Sequence, residues 1–307
     1  MSVTVTLRSR HVILPFQAMS LFPIHYTTIE QGTIAYYSIG SGFPLLLLHG
    51  FPETHIAWHK TIEGLSKYFT VICPDLPGYG DSTWPVSNKD NFTKRNMAAI
   101  LVSFMEQLGF DSFHLAGHDR GGRVAYRLAL DHPSKVRRLA VLDIVPTVEV
   151  MSNLNYNTAL EAHNWLFMAQ PMPLPETLLT GQPGFYIDYI ISSWAGRSDA
   201  IGEEIRAKYA ARYSDPQVIH TVCQEYRATE TDIEHDETDQ QSNKRIVCPV
   251  LALWAESGFA TKTGEPLDIW RKWATTVSGR ALHCGHFLME ESPEEVTRSF
   301  IEFFNAA

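Results

Sequence analysis

Short runs of apolar residues alternate along the chain with segments whose apolar positions recur every three or four residues. The runs are Thr33–Ile39, Pro44–Leu48, Thr70–Cys73, Ser112–Ala116, Arg138–Leu142 and Pro249–Trp254. Most lack polar alternation, as expected of strands buried on both faces. The periodic segments read as helices. In Asn96–Leu108, the residues Met97, Ile100, Leu101, Phe104, Met105 and Leu108 form one stripe, and Gly109 ends it. Near the C-terminus, Ser292-Pro293-Glu294-Glu295 has the form of a capping box with proline at the first helical position. Val296, Phe300, Phe303 and Phe304 follow as a buried face. This alternation predicts an α/β protein with a mostly parallel central sheet flanked by helices.

The alternation breaks between about residues 147 and 236. That stretch has no clear strand run and holds Trp165, Trp194, many Met and Tyr residues and several Pro/Gly breaks; the strand pattern resumes over Lys244–Trp254. The expectation is one core, 21–146 and 237–307, interrupted by a helical cap over 147–236. Such a cap closes over the carboxyl ends of the strands, where ligands bind in open α/β sheets. Residues 1–20 read as a disordered extension, with Met19 as an alternative start. Arg8 and Arg10 precede an apolar stretch, but Pro15, Gln17 and Pro23 interrupt it and no small-residue cleavage site follows, which argues against a signal peptide.

The net charge of -9 argues against nucleic acid or an anionic membrane as partner, although a small anionic substrate needs only a local positive pocket. No apolar run approaches a membrane span. The four cysteines are scattered without metal spacing, so reduced thiols and a cytoplasmic location are expected.

The chemistry concentrates at Gly117-His118-Asp119-Arg120-Gly121-Gly122, between the run Ser112–Ala116 and a helix predicted over Arg123–Leu130. Strand, glycine-flanked residue and helix form the context of a nucleophile elbow, G-x-Nuc-x-G, with aspartate as the nucleophile. His49-Gly50-Phe51-Pro52 follows the run Pro44–Leu48. Backbone N–H groups of Phe51 and Arg120 are expected to form an oxyanion hole. His286, in Gly285-His286-Phe287, stands where a base belongs, with His283 as the weaker competitor. The acid that orients it is Asp143, at the end of Arg138–Leu142, or alternatively Glu256, after Pro249–Trp254.

Aspartate in place of serine changes the reaction. A serine displacing a leaving group from saturated carbon would form an ether, which water does not readily cleave. Aspartate forms an ester, which a His-activated water hydrolyses at its carbonyl carbon. The residues therefore point to dehalogenation or epoxide opening. Arg120 and Arg123 are placed to hold a carboxylate near Asp119 by charge-assisted hydrogen bonds.

With these residues in view, the chain resembles the fluoroacetate (haloacetate) dehalogenases of the α/β-hydrolase superfamily, from about Phe22 to the C-terminus. HGFPET at 49–54 and PDLPGYG at 74–80 are widespread in the superfamily. The stretch from Gly117 through Pro133 and Leu142-Asp143-Ile144-Val145-Pro146-Thr147 are more specific. Asn164-Trp165, Ala169-Gln170-Pro171, Tyr226-Arg227-Ala228 and Gly285-His286-Phe287-Leu288 add to the likeness. The resemblance implies Asp119 as nucleophile, His286 as base and Asp143 as orienting acid. It further implies Arg120 and Arg123 as carboxylate ligands, Trp165 and Tyr226 as halide donors, and Trp194 in the pocket. It also implies no metal or organic cofactor, and a homodimer. One position departs: Asn164 stands where fluoride-cleaving members carry histidine, and His163 precedes it. Asn164 can still donate through its amide. Fluoride is a poor, strongly hydrated leaving group, so chloro- or bromoacetate is the expected substrate over fluoroacetate. The alternative is an epoxide hydrolase, in which cap tyrosines such as Tyr186, Tyr189, Tyr209, Tyr213 or Tyr226 would protonate the epoxide oxygen.

Overall fold

The computed structural model describes residues 23–29, 32–85 and 89–306. The extension expected over 1–20 lies outside them. Eight strands form one sheet: β1 (His25–Ile29), β2 (Gly32–Ile39), β3 (Phe43–Leu48), β4 (Phe69–Pro74), β5 (Phe113–His118), β6 (Val136–Leu142), β7 (Val250–Ala255) and β8 (Val277–Leu282). Their order is β1-β2-β4-β3-β5-β6-β7-β8, with β1 and β2 antiparallel to their neighbours and the rest parallel.

The central parallel strands β3, β5, β6 and β7 are largely apolar because both faces are covered. Leu46, Leu48, Leu115, Leu139 and Val141 pack to one side with helices Lys94–Gln107 and Asp119–Asp131. Their alternate neighbours Leu45, Leu47, Ala116, Ala140 and Leu142 pack to the other, against Trp58 and helix Pro293–Phe304. The two-residue period of a strand accounts for this division.

The six predicted runs each lie within or overlap a strand. The pattern did not yield β1 and β8. Both are edge strands: β8 alternates between exposed and partly buried positions, and most of β1 is open to solvent. The helix predicted from Arg123 starts at Asp119, directly after β5. Helix Lys94–Gln107 starts ahead of Asn96 because the Thr93 side chain caps it, accepting from Asn96 N–H. The capping box expected at Ser292 is not formed. Ser292 is the N-cap but makes no side-chain cap bond, while Pro293 does occupy the first turn.

Between β6 and β7 the chain forms eight helices, from Thr147–Ser152 to Thr229–Gln241. Among the described residues, no helix is long and apolar enough to cross a membrane.

Candidate active site

The register of the parallel strands brings the expected site residues to one end of the sheet. Leu48 on β3 pairs with Gly117 on β5, and His118 pairs with Leu142 on β6. The loop at Gly50 and Phe51, Asp119 and Asp143 therefore all follow the same row of sheet. Asp119 and Asp143 both have positive φ, 45° and 50°. For a residue with a Cβ this is a strained turn that the surrounding fold must hold. The glycines make the turn sterically feasible. A Cβ on Gly50 would lie 2.5 Å from that of Asp119, and one on Gly121 would collide with the His49 carbonyl.

Asp119 Oδ1 accepts from Phe51 N–H at 2.9 Å. His286 Nδ1 donates to Asp143 Oδ2 at 2.7 Å, and Asp143 Oδ1 accepts from Ala255 N–H at 2.9 Å. With Nδ1 donating, the neutral imidazole presents a bare Nε2. That atom is 4.0 Å from Asp119 Oδ2, too far for a direct hydrogen bond, and is buried without a partner among the described residues. The two competitors pair with each other at the surface, Glu256 with His283 at 3.0 Å. Trp194 stacks edge-on against His286 at 5.1 Å between ring centroids.

Burial alone would raise the carboxyl pKa of Asp119. Electrostatic interaction with His286, Arg120 and His118 and the Phe51 N–H outweigh it and hold the pKa below its ordinary value. Asp119 is therefore ionised at neutral pH.

The arginines differ from one another. Arg120 gives Nε and Nη2 to Glu225, at 2.6–2.9 Å, and keeps only Nη1 unpaired. Arg123 donates Nη1 to Val145 O at 3.0 Å and Thr147 Oγ1 at 3.2 Å, and its Nε is unpaired. Among the described residues, no ion pair joins Arg123 to a carboxylate. Burial and the charge of Arg120 push its pKa down, the reverse of Arg120, whose pKa Glu225 raises against burial. The Trp165 ring lies under both guanidinium groups, 4.8 and 4.4 Å from their Cζ atoms.

Asn164 Nδ2 donates to the Tyr226 hydroxyl at 3.1 Å, which leaves the tyrosine's own proton available. The indole N–H of Trp165, expected as a halide donor, instead donates to Thr229 Oγ1 at 2.7 Å. It would have to leave that bond to reach a halide. Asp119, Arg120, Arg123, Asp143, Asn164, Trp165, Trp194, Tyr226 and His286 all line one cavity of about 700 Å³. Among the described residues, no group of three or more His, Cys, Asp or Glu side chains is arranged to hold a metal ion.

The pattern model of the α/β-hydrolase fold matches residues 44–293. The chain belongs to the α/β-hydrolase family. It is 37% identical to a fluoroacetate dehalogenase from Burkholderia sp, over 87% of this chain and 89% of that one. It is 32% identical to a soluble epoxide hydrolase from Corynebacterium sp. (strain C12), over 91% and 96%. Among solved structures, an α/β hydrolase from Nostoc sp PCC 7120 superposes with a TM-score of 0.90 at 42% identity, over 94% of this chain and 99% of that one. The hydrolase thus has one relative named a dehalogenase and another named an epoxide hydrolase.

Residue patterns did not single out His118, Glu53, Lys94 or Glu225 in this hydrolase. His118 is fully buried, with Nδ1 2.8 Å from Glu53 Oε2 and Nε2 2.8 Å from the His286 carbonyl. Both partners are acceptors, so both ring nitrogens carry protons. Burial opposes the charge, but Glu53 overrides it and lifts the pKa to about 9. The signal for Glu53 lay in its place four residues after His49. For Glu225 it lay in its place beside Tyr226.

Proposed function

We propose that this hydrolase is a haloacid dehalogenase that converts a haloacetate to the hydroxy acid through an ester on Asp119, with the helices of 147–236 as its cap. The observation that carries this reading is Arg123, buried beside Asp119 with an unpaired Nε and no acidic partner among the described residues. A buried cation without a counter-ion is costly, and a substrate carboxylate supplies one.

In this scheme the carboxylate of the substrate sits against Arg120 Nη1 and Arg123 Nε. Asp119 Oδ2 attacks the halogen-bearing carbon. The carbon–halogen bond breaks with its electron pair, and the halide leaves toward the Tyr226 hydroxyl and Asn164 amide. His286 Nε2 then takes a proton from water, whose oxygen attacks Asp119 Cγ. The oxyanion forms at Oδ1, already held by Phe51 N–H, with Arg120 N–H as the second donor. Collapse expels the alkoxide, which takes the proton of the new Asp119 carboxyl, leaving glycolate and the Asp119 carboxylate. The proton on His286 passes to solvent, so the sum is haloacetate plus water giving glycolate, halide and a proton. Asp143 keeps the imidazole in the required tautomer. Because Asn164 is a neutral donor, chloro- and bromoacetate are the preferred substrates.

Parallel halide-release assays with chloroacetate and fluoroacetate test this reading. Release is expected in the wild type, faster from chloroacetate, and is expected to vanish in Asp119→Asn. No release from either substrate would overturn it. The second reading, epoxide hydrolysis, draws on Tyr189 and Tyr226, which both line the cavity and could protonate an epoxide oxygen. Diol formation from an alkyl epoxide without inhibition by acetate would establish that reading instead.

A further inference from the structure

A buried acid that takes no part in this scheme lies behind the arginines. Glu225 is fully buried on helix Pro216–Arg227. Arg120 Nε is 2.9 Å from each of its oxygens, and Nη2 is 2.6 Å from Oε1. The Tyr79 hydroxyl donates to Oε2 at 3.2 Å, and Lys94 Nζ pairs with Oε1. Lys94 also reaches Asp232 Oδ2 at 3.1 Å. Lys94 and Arg120 thus share the two buried acids Glu225 and Asp232, and Arg123 pairs with neither.

We infer that Glu225 is a specificity-determining residue that sets how strongly the cavity holds a carboxylate. It does so in two ways. By occupying Nε and Nη2 it orients the Arg120 fork and leaves Nη1 as the one nitrogen free for a ligand. By lying against the guanidinium it offsets most of the Arg120 charge, while Lys94 draws part of the Glu225 charge away. The cavity is then left with the full charge of Arg123 and a single nitrogen, Nη1, of Arg120. This division has a catalytic reason. Substrate and product carry the same carboxylate, so a grip from two uncompensated arginines would hold both equally and slow product release without lowering the barrier. Glu225 keeps the anchor specific in direction and moderate in strength.

The inference rests on the carboxylate reading above, and acetate separates the two. Acetate binding is measured by thermal shift and by competition in wild type, Glu225→Gln and Lys94→Met. The amide of Glu225→Gln keeps an oxygen for Arg120 and removes the charge, so acetate is expected to bind on the order of tenfold more tightly. Lys94→Met leaves Glu225 wholly to Arg120, so acetate is expected to bind several-fold more weakly. Uncharged acetamide is expected to respond to neither change. Acetate binding to Glu225→Gln no more tightly than to wild type overturns the inference. Should that variant fail to fold, unchanged or tighter acetate binding by Lys94→Met overturns it. Acetamide shifting in parallel with acetate shows a merely structural role and overturns it too. A wild type that ignores acetate removes the carboxylate reading and this inference together, whereas wild-type binding with unaltered variants removes this inference alone.

Discussion

Arg123 and His118 are both buried cations in the site, and their partners give them different duties. Arg123 donates, through Nη1 alone, to a carbonyl and a hydroxyl, neither of which carries charge. Replacing it with Met should therefore cost the fold little and the substrate much. Hydrogen bonds to a charged group contribute roughly 1.5–3 kcal/mol. Arg123→Met is expected to raise KM for chloroacetate about 10- to 100-fold, read from initial rates. His118, in contrast, bridges the Glu53 carboxylate and the carbonyl of His286, and so joins three loops of the site. Its pKa is raised from 6.5 to about 9, so its charged form stabilises the folded state. That contribution is complete below pH 6.5 and is lost as pH rises through about 9. Denaturant titrations should show wild type losing up to about 3 kcal/mol of stability across that window, and His118→Gln losing much less.

At the scale of elements, the decisive junction is where β5 passes into helix Asp119–Asp131. Gly121 lets this helix lie against the chain leaving β3, because any Cβ there would meet the His49 carbonyl. Gly121→Ala is expected to lower stability by about 1–3 kcal/mol. It should lower kcat by a larger factor than chloroacetate KM changes, since it displaces Phe51 N–H from Asp119; melting curves and steady-state kinetics check both. The elbow was legible in the sequence because it depends on local geometry, with strand, glycines and helix in one continuous stretch. The edge strands β1 and β8 were not. An edge strand has only one neighbour and is partly open to solvent, so it lacks the continuous apolar run that marked the central strands. The proline at Pro293 identified a helix start, but whether Ser292 closes a cap depends on its backbone angles, and these carry it away from cap geometry.

For the molecule as a whole, the cavity is larger than a haloacetate requires. Its volume of about 700 Å³ is of the size that receives drug-sized ligands, and Leu160, Tyr189, Trp194 and Phe259 line it together with the charged groups. Haloacids with a substituent on the reacting carbon should fit. 2-Chloropropionate is expected to show kcat/KM within about tenfold of chloroacetate, and a far larger loss would show that the wall beside Asp119 admits no methyl group. The sequence by itself determined the parallel sheet, the helical stretch between β6 and β7, and the order of Asp119, Asp143 and His286 along the chain. These follow from hydrophobic periodicity and turn chemistry, which act over a few residues. Only the tertiary structure decided the pairings: Asp143 with His286, Glu256 with His283, Trp165 with Thr229, and Glu225 with Arg120 and Lys94. Each joins side chains from elements distant in sequence, and in a buried site the partner of a charge is fixed by which strand ends and helices the fold brings within hydrogen-bonding reach.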